Sequence, residues 1–227
     1  MIIEFLFTLF EAPHARHGWR PVAEQAAIRS RCRRHAMEWG THLAICREIV
    51  RLAAENCPLK RSAVILGSGL LLDVPVDDLC RLFNKVVLID LHHPSEARAA
   101  RKRHPNLELR HADVTAAGFW ESLGDDVDCL VSLNLAAQLA LGEGRDSIML
   151  DHIAGLRSRP GTRLLISERQ RVELNEDGTE IARESALPEK ADPGPPEKSW
   201  KWHLAPAGEL APYRSLVLDV GAWVWRM

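Results

Sequence analysis

Ser62-Ala63-Val64-Ile65-Leu66-Gly67-Ser68-Gly69 is the stretch that decides the fold of this 227-residue chain. A short apolar run ending in a Gly-Ser-Gly turn reads as a buried strand whose following turn needs backbone angles that only glycine adopts freely. Two further runs end near an acid: Val86-Val87-Leu88-Ile89 meets Asp90, and Leu107-Glu108-Leu109-Arg110 is soon followed by Asp113. Strands buried on both faces belong to parallel sheets, and in such sheets ligands sit beyond the carboxyl ends of the strands. Three polar strand ends in succession predict one binding edge, suited to a cofactor that contains adenosine.

Outward from this core, strand-like runs lie at 63–66, 85–89, 107–110, 127–133 and 162–167. Segments able to form helices separate them at 76–83, 95–103, 119–123 and 146–157. This alternation predicts right-handed βαβ units around a parallel sheet. Before it, residues 21–56 carry Ile28, Trp39, Leu43, Ile49 and Val50 at helical spacing, which predicts an N-terminal helical extension over 1–60 ahead of an α/β domain over 61–227. After Ser167, residues 171–174 and 179–183 flank Glu176-Asp177-Gly178 as a hairpin would, and a Pro-rich loop occupies 189–198. The Trp- and Val-rich segments 200–204 and 215–225 are predicted to close the sheet as an antiparallel pair.

Hydrophobic residues make up 46% of the chain and the formal net charge is −2, which suits a soluble globular protein with no overall attraction for a phosphate backbone. A nucleic-acid partner is therefore not expected. The five cysteines are odd in number and widely spaced, as reduced core thiols of a cytoplasmic protein would be. The apolar opening from Met1 to Phe10 contains Glu4, lacks a basic leader and is too short to span a bilayer, so it reads as a buried strand or helix turn.

Electrostatics separates the two main cofactor classes that use a glycine turn followed by an acid. A dinucleotide brings a pyrophosphate that seeks helix N–H groups and is repelled by carboxylates. Here the glycine turn runs toward Asp73, Asp77 and Asp78, the third glycine of the dinucleotide fingerprint is missing, and Pro75 delays the next helix. S-adenosylmethionine carries no phosphate, and its two positive groups outweigh its one carboxylate.

These residues resemble those of the class I S-adenosylmethionine-dependent methyltransferases, over roughly residue 61 to the C-terminus. The resemblance implies a Rossmann-like, seven-stranded, mostly parallel sheet with helices on both faces and an antiparallel last pair. It implies S-adenosyl-L-methionine as cofactor, with Gly67, Ser68 and Gly69 beneath its methionine and ribose portions. Asp90, with Leu91, would meet the ribose hydroxyls, and Asp113, with Val114, the adenine; Asn134 would lie under the methyl-transfer position. Two departures stand out: Ile65 occupies a place where the family often has an acid, and Leu71 replaces its third glycine. The acceptor implied is a small molecule or a lipid-like one.

Plainer readings compete for several residues. Asp90 can cap a strand-to-loop turn, Asp113 can cap a helix, and Asn134 opens the helical-looking segment 135–139. Arg29, Arg31, Arg33 and Arg34 read as a solvated helix face, and Trp39, His42 and Cys46 as a core stripe on one face of a helix. Trp200, Trp202, Trp223 and Trp225 alternate as sheet-packing residues do. Neither His14 and His17 nor His92 and His93 have a cysteine or carboxylate at ligand spacing, so no metal site is expected. No catalytic group is assigned; His42, His111 and His203 are the candidate bases. The N-terminal helices and the segment 171–198 are the candidate lids.

Overall fold

The computed structural model describes residues 19–139, 146–191 and 193–226. The expectations for Met1 to Phe10 and for His14 and His17 fall outside them. Two helices come first, α1 (Trp19–Arg34) and α2 (Ala36–Glu55). The sequence pattern reads as one helix, but the chain breaks at His35, so that α1 can leave the line of α2.

Then follow β1 (Ser62–Leu66), α3 (Val76–Leu82), β2 (Lys85–Asp90), α4 (Ser95–Arg103), β3 (Leu107–His111) and β4 (Val127–Leu133). The chain continues through α5 (Ala136–Leu139), α6 (Asp146–Ser158), β5 (Thr162–Leu174), β6 (Glu180–Ser185), β7 (Lys198–Ala205) and β8 (Ser215–Arg226). The helix expected at 119–123 is a series of turns that buries Phe119 and Leu123. Five residues between Gly118 and Gly124 are too few to repay helix nucleation.

All eight strands join one sheet in the order β3-β2-β1-β4-β5-β8-β7, with β6 paired to β5 off that path. Strands β1 to β5 run parallel to one another, whereas β6 and β8 are antiparallel to β5, and β7 is antiparallel to β8. The sheet thus carries the expected seven strands and one more. Strand β5 does not stop at Ser167; its pairing with β4 ends at Ile166, and beyond a bulge it continues beside β6 from Gln170. The predicted hairpin therefore stands above the end of β4, at the carboxyl edge.

Strand β1 is buried at all five positions and divides the core by alternation. Ala63 and Ile65 pack with Val50 and Ala54 of α2, while Val64 and Leu66 pack with Met149 and Leu156 of α6. Each large apolar side chain so covered is worth about 1.5–3 kcal/mol. The four tryptophans divide the same way: Trp200 and Trp202 join the α2 side, Trp223 and Trp225 the α6 side. The five cysteines are all unpaired. Among the described residues no helix is long and apolar enough to cross a membrane.

Candidate active site

At the carboxyl edge lies a cavity of about 460 Å³, walled by the ends of β1, β2 and β4, by α1 and α2, and by β7. Gly67, Ser68, Gly69, Asp90, Leu91, Asp113, Val114 and Asn134 all line it. The structure thus brings all eight sequence-predicted residues to one cleft.

The first wall is built from short turns. Gly67 and Gly69 take φ of +77° and +45°, and Leu71 adopts +61°, so the loop keeps a left-handed bend where leucine stands for glycine. A Cβ on Gly67 would lie 3.0 Å from Leu135 Cβ, whereas one on Gly69 would meet no protein atom within 4 Å. Asp90 fastens this loop to β2: its Oδ2 accepts a 2.8 Å hydrogen bond from the Gly69 amide and its Oδ1 accepts one from the His92 amide at 3.3 Å. Burial raises the Asp90 pKa, and these amides oppose it. Asp90 is thus a turn cap and a cavity residue at once. Asp113 caps a turn rather than a helix, accepting from the Thr115 amide and hydroxyl at 2.9 and 2.7 Å. The Ser68 hydroxyl is buried with no protein partner.

The second wall is aromatic, and sequence reasoning read it as packing. His42 stacks on Trp202 with centroids 3.8 Å apart and planes 5° from parallel, and Trp39 meets Trp202 edge-on. Trp200 donates from Nε1 to His42 Nδ1 at 3.0 Å. An indole N–H can only donate, so this bond places the imidazole proton on Nε2. Burial pushes the His42 pKa down to about 3, and the ring is neutral. Trp39 Nε1 donates to the Leu204 carbonyl at 3.0 Å, a second tie between α2 and β7. Of the three candidate bases only His42 lines the cavity; its acceptor nitrogen is already taken.

Between the walls stands Asp73, whose Oδ2 accepts from Asn134 Nδ2 at 2.8 Å. Asn134 sits at φ +50°, a bend that asparagine tolerates, and its amide hydrogen-bonds the Ile166 carbonyl. The other two acids of the expected rim are elsewhere: Asp77 bonds His104 at 2.6 Å and Asp78 pairs with Arg81, both at the surface. Asp73 alone carries the electrostatic distinction drawn from the sequence.

One ligand atom each from His42, Cys46 and Asp73 lies within 4.8 Å of the others, a separation that a metal ion could bridge. The Trp200 bond puts a hydrogen, not a lone pair, on His42 Nε2, the ring nitrogen nearer to Cys46, and burial holds the thiol protonated. This donor set is unsuited to a metal ion.

Helix α1 roofs the cleft. Gln25 donates to the His92 carbonyl, and Arg29 forms a forked pair with Glu96 at 2.8 and 3.0 Å. Arg31, Arg34 and His35 converge on Glu209 at 2.6–3.2 Å, and that cluster pulls the carboxyl down to about 2, Arg34 and His35 contributing most. The arginine run is therefore not a solvated face: Arg29, Arg31 and Arg34 anchor the roof. Among the described residues, none from 171 to 198 lines the cavity.

No protein-family model and no curated protein matches the chain. Among solved structures it is similar to 1,6-didemethyltoxoflavin-N1-methyltransferase of Burkholderia thailandensis, at 17% identity over 89% of this chain and 90% of that one, TM-score 0.47. It is similar to DhpI in complex with S-adenosylhomocysteine, at 14% identity over 96% of both chains, TM-score 0.46. It is also similar to CalS10, an amino pentose methyltransferase from Micromonospora echinaspora, at 15% identity over 81% and 91%, TM-score 0.41. The strand order β3-β2-β1-β4-β5-β8-β7, with its antiparallel last strands, gives this chain the Rossmann-like, mostly parallel α/β sheet that the sequence resemblance implies.

Proposed function

We propose that this chain is an S-adenosylmethionine-dependent methyltransferase acting on a small molecule. The observation that carries the reading is the Asp90 clamp: a carboxylate at the end of β2 holds the Gly69 amide and faces a cavity shared with Asp113 and Asn134. The residues present fit the cofactor. The space above Gly69 is empty of protein atoms, and the buried Ser68 hydroxyl lacks a partner. Gly67, Ser68 and Gly69 would hold the methionine and sulfonium portions, Asp90 and Leu91 the ribose, and Asp113 and Val114 the adenine. When bound, the cofactor supplies an electrophilic methyl group.

The chain's own part is to orient and to exclude water. Trp39, Leu43, Trp202, Leu204 and Leu218 give the acceptor an apolar chamber, and α1 closes it. His42, neutral and with Nδ1 held by Trp200, leaves proton removal to another group or to the acceptor itself. A cleft of about 460 Å³ that also holds the cofactor leaves room for a small molecule rather than a polymer.

Calorimetric titration with S-adenosylmethionine, S-adenosylhomocysteine and NAD tests the proposal. Micromolar binding of the first two with no response to NAD is the expected result. Binding of NAD alone, or of none of the three, overturns it.

A further inference from the structure

A half-buried carboxylate with no cation beside it stands where the two walls meet and lines the cavity. Among the described residues no lysine, arginine or histidine forms an ion pair with Asp73, and its side-chain partner is the neutral Asn134 amide. The groups that face it from α2 are His42, held neutral, Cys46, held protonated, and Arg47. Arg47 acts from farther away and directs Nη1 to the Leu72 carbonyl. Burial pushes the Asp73 pKa up to about 6, against the Asn134 amide, its own backbone and Arg47. A carboxylate partly withdrawn from water gains from a paired cation, because the hydration it has lost is otherwise uncompensated. A ligand entering the cavity can supply that cation, and the His42 tautomer argues against a metal ion.

The order of residues along the edge says which end of a ligand arrives there. Asp113 lies beyond β3, Asp90 ends β2, Gly67 to Gly69 follow β1 and Asn134 follows β4, four adjacent strands spanning about 14 Å. With adenine toward β3 and ribose at β2, the amino-acid end of S-adenosylmethionine falls at β1 and β4, beside Asp73.

We propose that Asp73 is the receptor for an alkylammonium group in this cleft, and that the group is the α-ammonium of the cofactor. The proposal rests on the methyltransferase reading. Asp73 then supplies, from the loop after β1, the negative charge that position 65 lacks, where Ile65 is buried in the core. An amine on the acceptor is the other source of the same chemistry.

The test titrates wild type and Asp73→Asn with S-adenosylhomocysteine and with 5′-methylthioadenosine, which has no amino-acid end, across the pH range around 6. The variant is expected to bind S-adenosylhomocysteine about tenfold or more weakly at neutral pH and 5′-methylthioadenosine unchanged, as loss of a charge-assisted hydrogen bond requires. Wild-type affinity for S-adenosylhomocysteine falls as pH drops through about 6, and the variant shows no such fall. A melting temperature of Asp73→Asn no lower than wild type shows that lost affinity is not lost folding.

Phenethylamine titrated into the S-adenosylhomocysteine-loaded protein separates the two sources. Binding that the variant abolishes, with cofactor affinity unchanged, assigns the ammonium to the acceptor and overturns the cofactor assignment. A variant that alters neither ligand overturns the receptor role altogether. Failure of wild type to bind either adenosine ligand refutes the methyltransferase reading itself.

Discussion

The two walls of the cleft are built in opposite ways. The glycine wall comes from β1, β2 and β3 with their turns, so each residue that lines it follows directly from the strand that places it. The aromatic wall joins His42 of α2 to Trp200 and Trp202 of β7, and the His42–Trp200 hydrogen bond crosses 158 residues of sequence. Polar contacts between backbone and short side chains shape the first wall; stacked rings and one indole donor shape the second. A site can thus have one half fixed by local turn chemistry and the other by tertiary contact alone, and the two should fail independently.

The largest expected effect breaks the glycine wall. Asp90→Ala removes the acceptor of the Gly69 amide and the proposed ribose partner together, at about 1.5–3 kcal/mol per charged hydrogen bond, so cofactor affinity should drop at least about tenfold. Calorimetry with S-adenosylhomocysteine and 5′-methylthioadenosine measures it, and both ligands should suffer alike. Intact affinity would remove Asp90 from the site.

Trp200→Phe breaks the aromatic wall instead. It deprives the buried His42 Nδ1 of its donor, which should lower stability by about 1–3 kcal/mol while adenosine affinity stays near wild type. A denaturant midpoint shift with unchanged calorimetry is the expected signature; a parallel loss of cofactor binding would show the walls to be coupled.

Glu209→Gln loosens the roof over both. Three basic side chains share this carboxylate, and their loss should lower stability by about 1 kcal/mol near neutral pH. The carboxyl pKa is depressed, so its contribution is complete above the ordinary value of 4.5 and disappears as pH falls through about 2. Melting curves of the two proteins should therefore converge across that acid window. Leu71→Gly sharpens the comparison most gently: relief of a left-handed leucine is set against lost packing, and the stability change should stay within about 1 kcal/mol by chemical denaturation.

The same contrast explains what could be read from the sequence. The glycine turn and the acids Asp90 and Asp113 were legible because each follows its own strand within a few residues, where alternation and turn chemistry operate. Trp39, His42 and Cys46 were visible as one helix face, but their partner on β7 has no local mark. Asp73 reads as one of three acids beside the loop; Asp78 pairs locally with Arg81 one helical turn on, and only tertiary contact shows that Asp77 turns to His104 while Asp73 turns to Asn134. The arginines of α1 look solvated in a helical pattern, because Glu96 and Glu209 lie 67 and 178 residues away from Arg29 and Arg31. The extension of β5 past Ser167 was hidden by polar residues that a projecting hairpin accepts and a buried strand would not.

The tie between His42 and Trp200 also sets a schedule for synthesis. The chain has made every residue of the glycine wall once β4 is complete, but the far wall waits for β7, some seventy residues later and so roughly 4–14 s at ribosomal rates of 5–20 residues per second. During that interval the apolar face of α2 that β7 will cover has no partner strand. A nascent chain paused between β4 and β7 would therefore expose Trp39 and His42, a target for chaperones that the finished protein conceals.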